Sequence, residues 1–206
     1  MNQHSTLKKP KTMTEPRTAR GKRTRDKILQ AAASEFGSKG FHETGITDIT
    51  KTAGVALGTF YTYYKSKEIV FRALVSHMGE LTREWISTRI AGAPDRLSAE
   101  RMGIAAFIEF AREHKDLYRI VMEAQFVAND SYVEYYSIFA ESYTRNLADA
   151  AKKGEIRSGH DEERAWALIG MSVFLGLKYG VWDDTRDPSE IADAVSDLLE
   201  NGLGIK

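Results

Sequence analysis

The sequence predicts an all-α protein: an N-terminal three-helix unit carrying a helix-turn-helix, followed by a larger helical body. Apolar residues recur at helical spacing, as in Ile28, Leu29, Ala32 and Phe36 and again in Ile191, Val195, Leu198 and Leu199. Only 4 of 206 residues are proline while 42% are hydrophobic, a balance suited to packed helices. The stretch TDITKTAGVALGTFYTYY, from Thr47 to Tyr64, reads as two short helices around a glycine-containing turn.

Within that stretch Thr47 is expected to cap the first helix with its hydroxyl. Ile49 and Ala53 share an inward face beside Thr50. Gly54 ends the helix where a left-handed backbone is cheap, Val55 fills the angle, and Gly58 lets the second helix begin close to its neighbour. Phe60 and Tyr64, four apart, point into the core. Thr59, Thr62 and Tyr63 then point outward, with Tyr61 near the edge. Hydroxyls and phenols suit a groove wall, since they donate to phosphate oxygens, and threonine methyls can touch thymine. A small helical corner with a wet tyrosine cluster would show the same local pattern.

Charge separates the two readings. The net formal charge is zero, yet residues 1–71 hold 13 Lys or Arg against 6 Asp or Glu, and residues 72–206 hold 16 against 23. A basic end on an acidic body points to a polyanionic partner. Residues 1–21 read as a disordered basic arm, broken by Pro10 and Pro16. Within and just after this arm Arg17, Arg20, Lys22, Arg23 and Arg25 form a cationic cluster, placed to meet phosphates or a minor groove. The first helix is expected from about Thr24 to Lys39, stopped by Gly40, with Phe41 and Ile46 as anchors. The expected division is an arm over 1–21, a DNA-binding domain over 22–65, and an effector-binding and dimerisation domain over 66–206.

The run ILQAAASEFGSKGFHETGITDITKTAGVALGTFYTYYKSKEIVF resembles the N-terminal domain of TetR-family transcriptional regulators. The resemblance rests on Ile28 to Phe36, Gly40-Phe41, Thr47, Ala53-Gly54-Val55, Gly58-Thr59-Phe60-Tyr61 and Ser66-Lys67-Glu68. It implies DNA contacts at Thr47, Gly58, Thr59, Tyr61, Thr62, Tyr63 and Lys67, the lysine on a phosphate. Ala56 stands where the family usually has serine. Thr62-Tyr63 replaces the frequent Tyr-His, so the contact there need not be the usual one.

A fourth helix is expected from Ser66 to about Ala91, with Ile69, Leu74, Met78, Leu81, Trp85 and Ile90 inward. Further helices follow over about 98–114, 116–127, 129–153, 161–182 and from Asp187 onward. In the body the aromatic residues suggest a cavity for an apolar or aromatic small molecule. Phe107, Phe110, Tyr118, Met122, Phe126, Tyr136, Phe139, Trp166 and Phe174 are its candidate walls. Reading two half-sites calls for a homodimer. Phe174, Leu175, Tyr179, Val195, Leu198 and Leu199, on the last two helices, are the candidate interface, and the resemblance implies the same helices.

Other chemistries find little support. Without cysteine there is no disulfide, thiolate metal site or thiol catalysis. His4, His42, His77, His114 and His160 lack metal-ligand spacing, and Glu109 with Glu113 reads as a solvated face. No phosphate-cradling glycine loop or nucleophile elbow occurs, so neither a catalytic site nor a cofactor is expected. The apolar run Ala165–Leu177 reads as a buried helix too short for a bilayer. No secretory signal is visible, and a cytoplasmic location with no membrane partner is expected. The function expected is therefore an operator-binding homodimeric repressor released by a small-molecule effector. The rival is a helical ligand-binding or interaction protein without operator binding, and salt-dependent, sequence-selective duplex binding separates the two.

Overall fold

The computed structural model describes Pro16 and residues 18–203, and every regular element among them is helical. In chain order these are α1 (Ala19–Lys39), α2 (Ile46–Ala53), α3 (Leu57–Tyr63), α4 (Lys67–Ile90), α5 (Arg96–Glu113), α6 (Lys115–Val127), α7 (Asn129–Lys152), α8 (Asp161–Gly176) and α9 (Pro188–Leu203). A π-helical segment, Leu177–Trp182, continues α8. The chain divides into two compact units between Leu74 and Val75, inside α4 rather than ahead of it.

In the N-terminal unit α1 begins earlier than expected. Thr18 accepts the Gly21 N–H at 3.1 Å, so Ala19, Arg20 and Gly21 are helical rather than part of an arm. Arg17 lies outside the described residues. Ile28, Ala32, Phe36, Phe41, Ile49, Phe60 and Tyr64 are buried, as the periodicity requires. Phe71 joins them edge-on to Phe36 at 5.2 Å and to Phe41 at 5.1 Å, so the first turns of α4 belong to this core. The buried side of α4 is Val70, Phe71, Leu74, Val75, Met78 and Thr82. Ile69, Leu81, Trp85 and Ile90, expected inward, are only half-buried.

The C-terminal unit packs α5 against α8 and α9, and α7 against α6 and α8. Its core joins Ile104 and Ile108 of α5 to Leu147 of α7, Leu168 of α8 and Ile191 and Leu199 of α9. Asp95 caps α5 by accepting the Ser98 N–H at 2.8 Å, three residues ahead of the expected start. Asp187 caps α9 through the Ser189 N–H at 2.7 Å. Asp161 is the first residue of α8 rather than its cap, and His160 before it is left-handed at φ 58°. The segment Asp161–Trp182 spans 22 residues and is apolar enough, by length and composition alone, to cross a membrane. The expectation of a run too short for that is thus corrected, because helix extends on both sides of it.

α8 lies close on α5 because two glycines face it. A methyl at residue 180 would stand 2.7 Å from the Ala111 Cβ and 3.2 Å from the Ile108 carbonyl. In the last turn of the π-helical segment the Tyr179 carbonyl accepts the Arg112 Nε–H at 2.9 Å.

Candidate functional site

The turn between α2 and α3 needs a residue at positive φ. Gly54 supplies it at φ 64°, and its N–H closes the helix on the Lys51 carbonyl at 3.2 Å. Thr47 is not the cap expected. α2 starts at Ile46, and Asp48 holds the end by accepting the Gly45 N–H at 2.9 Å. Thr47 is left exposed on the first turn.

α3 buries Phe60 completely and presents Gly58, Tyr61 and Thr62 to solvent, with Thr59 and Tyr63 half-buried. Its hydroxyl-bearing side is thus open. The Thr62 hydroxyl donates back to the Gly58 carbonyl at 3.1 Å and keeps acceptor lone pairs outward. Tyr64 packs inward on Phe60, and burial pushes its phenol up to about 12. Ala56 precedes α3 with no side-chain cap, as the missing serine implies. The first turn of α1 carries exposed Arg20, Lys22 and Arg23. It approaches α3 at Gly21, where an added methyl would lie 3.6 Å from the Tyr63 hydroxyl. The fold therefore brings the basic cluster and the hydroxyl face of α3 together.

Lys67 departs from its expected role. Its ammonium donates to the carbonyls of Phe41 at 2.8 Å, Thr44 at 2.9 Å and His42 at 3.4 Å, and stands 4.4 Å from the centre of the Phe41 ring. With its donors used on three carbonyls it clamps the α1–α2 turn rather than offering a charge to phosphate.

The C-terminal unit encloses an apolar cavity. Met78, Thr82 and Ile86 come from α4, Phe107 and Phe110 from α5, Leu117, Tyr118 and Met122 from α6, Tyr135, Tyr136, Phe139 and Tyr143 from α7, and Ile169, Ser172 and Val173 from α8. Four of the hydroxyls on its walls donate to protein acceptors. Tyr118 donates to the Val173 carbonyl at 2.7 Å, Ser172 to Leu168 at 2.9 Å and Thr82 to Met78 at 2.8 Å. Tyr143 donates to the buried Glu100 carboxylate, which also pairs with Arg96. Burial raises the phenols of Tyr118, Tyr135 and Tyr136, which stay protonated. The cavity thus offers ring faces and alkyl groups. It has about 70 Å³ of space for the centres of water-sized atoms. That space is small beside a long acyl chain.

Six expected wall residues line this cavity: Phe107, Phe110, Tyr118, Met122, Tyr136 and Phe139. Three do not. Phe126 is 85% exposed in the last turn of α6, while Trp166 and Phe174 lie on the outer side of α8 at 44% and 70%. Helical phase decides it: Leu168 and Ile169 take the inner side of α8, which turns 166 and 174 outward. The interface candidates also divide. Phe174 and Leu198 are exposed, whereas Leu199 is buried in the unit's own core and Leu175, Tyr179 and Val195 pack against it. Trp182, 71% exposed and not singled out from the sequence, joins the outward apolar set. Of the residues not anticipated, those of α7 had a signal in the crowding of Tyr132, Tyr135, Tyr136, Phe139 and Tyr143 at helical intervals. The α4 residues had none.

Phe107 owes its place to Gly176. A methyl at residue 176 would lie 2.6 Å from the Phe107 Cε1, so Gly176→Ala forces the ring toward the cavity. Calorimetry with a small apolar probe such as 1-hexanol is expected to show binding weakened by about tenfold or more, with helicity unchanged by circular dichroism.

A helix-turn-helix with an open helix beside a basic turn is an arrangement suited to meet a polyanion such as duplex DNA. Residues 28–74 match the family described as "Bacterial regulatory proteins, tetR family". Over those residues the chain is similar to this family. It is 28% identical over 190 residues to the uncharacterized HTH-type transcriptional regulator YdgC of Bacillus subtilis, covering 90% of this chain and 95% of that one. It is 25% identical over 188 residues to the fatty acid metabolism regulator protein of B. subtilis, covering 85% and 93%. The crystal structure of the B. subtilis regulator FadR, in complex with stearoyl-CoA, superimposes with a TM-score of 0.74 at 21% identity, over 88% of this chain and 99% of that one.

Proposed function

We propose that the protein is a homodimeric repressor that leaves a palindromic operator when the acyl part of a small molecule enters the cavity. The observation that carries this reading is a partly open aromatic cavity walled in part by α4, the helix that also supplies the Lys67 clamp. Occupancy that shifts α4 would alter the α1–α2 turn and, in a dimer, the separation of the two α3 helices. That separation must match about 34–36 Å of duplex, so a shift of a few ångströms suffices. Contacts to DNA fall to Thr47, Gly58, Thr59, Tyr61, Thr62 and Tyr63, with Arg20, Lys22 and Arg23 on phosphates. Pairing uses the outward apolar side of α8, its π-helical extension and α9, at Phe174, Trp182 and Leu198.

A relative named for fatty acid metabolism and a similar fold that holds an acyl-CoA both favour an acyl effector. The cavity volume selects a short or branched acyl group. A stearoyl chain would require its walls to move apart. Selection of bound sequences from a random duplex pool is expected to return a palindrome. On that duplex, hexanoyl-CoA should release the protein at concentrations about tenfold below those of stearoyl-CoA, read by fluorescence anisotropy. A pool with no enriched, salt-sensitive sequence would leave a ligand-binding protein without an operator.

A further inference from the structure

Arg83, on α4, is half-buried, and among the described residues it makes no hydrogen bond or ion pair. Its neighbours differ in this respect: Arg89 has Glu109, Arg96 has Glu100, Arg101 has Asp193 and Lys115 has Asp184. The guanidinium of Arg83 instead stands 5.4 Å from the centre of the Phe139 ring, a wall of the cavity. Gly79 makes the place for it. A methyl at residue 79 would sit 2.9 Å from an Arg83 terminal nitrogen and 3.2 Å from the Tyr135 ring, a second cavity wall. The cation thus stands on α4 beside two residues of the cavity wall.

A guanidinium kept partly out of water is costly unless its N–H groups find acceptors. The ring face supplies part of that, but no acceptor in the plane of the fork. A carboxylate or phosphate does, with two parallel charge-assisted bonds. We propose that Arg83 is the anion receptor of the effector site, so that the ligand is an amphipathic anion: a compact apolar group in the cavity and a carboxylate or phosphate on Arg83. This rests on the cavity being the effector site. It places an orienting charge beside a cavity whose lining is mostly rings and alkyl groups.

The test compares the full-length protein with its Arg83→Gln and Arg83→Lys variants by calorimetry, using hexanoate, hexanoyl-CoA and 1-hexanol. Arg83→Gln is expected to weaken an anionic probe about tenfold or more and to leave 1-hexanol within about twofold. Arg83→Lys, which keeps the charge and loses the fork, should fall between. Loss confined to hexanoate identifies a carboxylate as the recognised group, and loss confined to hexanoyl-CoA identifies a phosphate. Either result supports the anion receptor. Equal binding of all probes by wild type and Arg83→Gln overturns it while leaving the cavity as the effector site. Wild type that binds none of the probes overturns both. Circular dichroism of each variant separates lost binding from lost fold, and a variant that unfolds where Arg83→Lys folds and binds the anions fully also counts against the proposal.

Discussion

Glu100→Ala is expected to destabilise the C-terminal unit by about 3–5 kcal/mol. Glu100 is 1% exposed, and its carboxylate pairs with Arg96 one helical turn earlier in α5 while accepting the Tyr143 O–H. Arg96 is itself largely buried, with its guanidinium 5.2 Å from the Tyr143 ring centre and its backbone N–H on Glu155 at 2.8 Å. Alanine would strand a desolvated cation and a phenol together, and the uncompensated charge dominates the cost. Glu100→Gln keeps an acceptor for Tyr143 and should cost less than alanine. Tryptophan fluorescence in a denaturant titration reads this unit alone, because Trp85, Trp166 and Trp182 all follow Val75. Because Tyr143 also lines the cavity, hexanoyl-CoA binding should weaken in Glu100→Ala even under conditions where the variant stays folded. A loss below about 1 kcal/mol would mean that the cluster is hydrated.

Lys67→Ala is expected to lower the stability of the N-terminal unit by about 2–4 kcal/mol, through loss of charge-assisted bonds to three carbonyls and of the contact with the Phe41 ring. The three bonds do not add in full, since the ammonium is partly exposed and water can replace some of them. Hydrogen exchange should show faster exchange across the α1–α2 turn, with the C-terminal unit unchanged. A plain phosphate contact would behave differently: the stability would hold, and the salt slope of DNA binding would fall by about one. The two outcomes exclude each other as the main effect.

The helix-turn-helix was legible because its information is local. Gly54 needs a positive φ, and Phe60 and Tyr64 lie one turn apart in the core; Thr62 is exposed as expected, while Thr59 and Tyr63 are half-buried and Tyr61, expected near the edge, is exposed. Lys67 was not legible. Its partners lie 23 to 26 residues earlier, and nothing in the motif says that a turn will offer three carbonyls to it. Thr47 illustrates a smaller error of the same kind, since Asp48 competes for the same helix end and reaches the Gly45 N–H first.

In the body, aromatic content announced a cavity, but the lining depended on helical phase. Phe107 and Phe174 are both apolar residues on amphipathic helices, yet one faces Gly176 and the cavity and the other faces solvent. Leu198 and Leu199 are adjacent and separate in the same way, one outward and one in the core. Local periodicity and charge placement by themselves determined an all-helical chain with a basic helix-turn-helix at one end, since both depend only on residues within a few turns of each other. Which cation is spent on carbonyls and which stands free over a ring, and which aromatics enclose space rather than fill it, only the tertiary structure decided. Those outcomes depend on which distant backbone atoms and side chains arrive within hydrogen-bonding or van der Waals reach, a condition spacing along the chain does not encode.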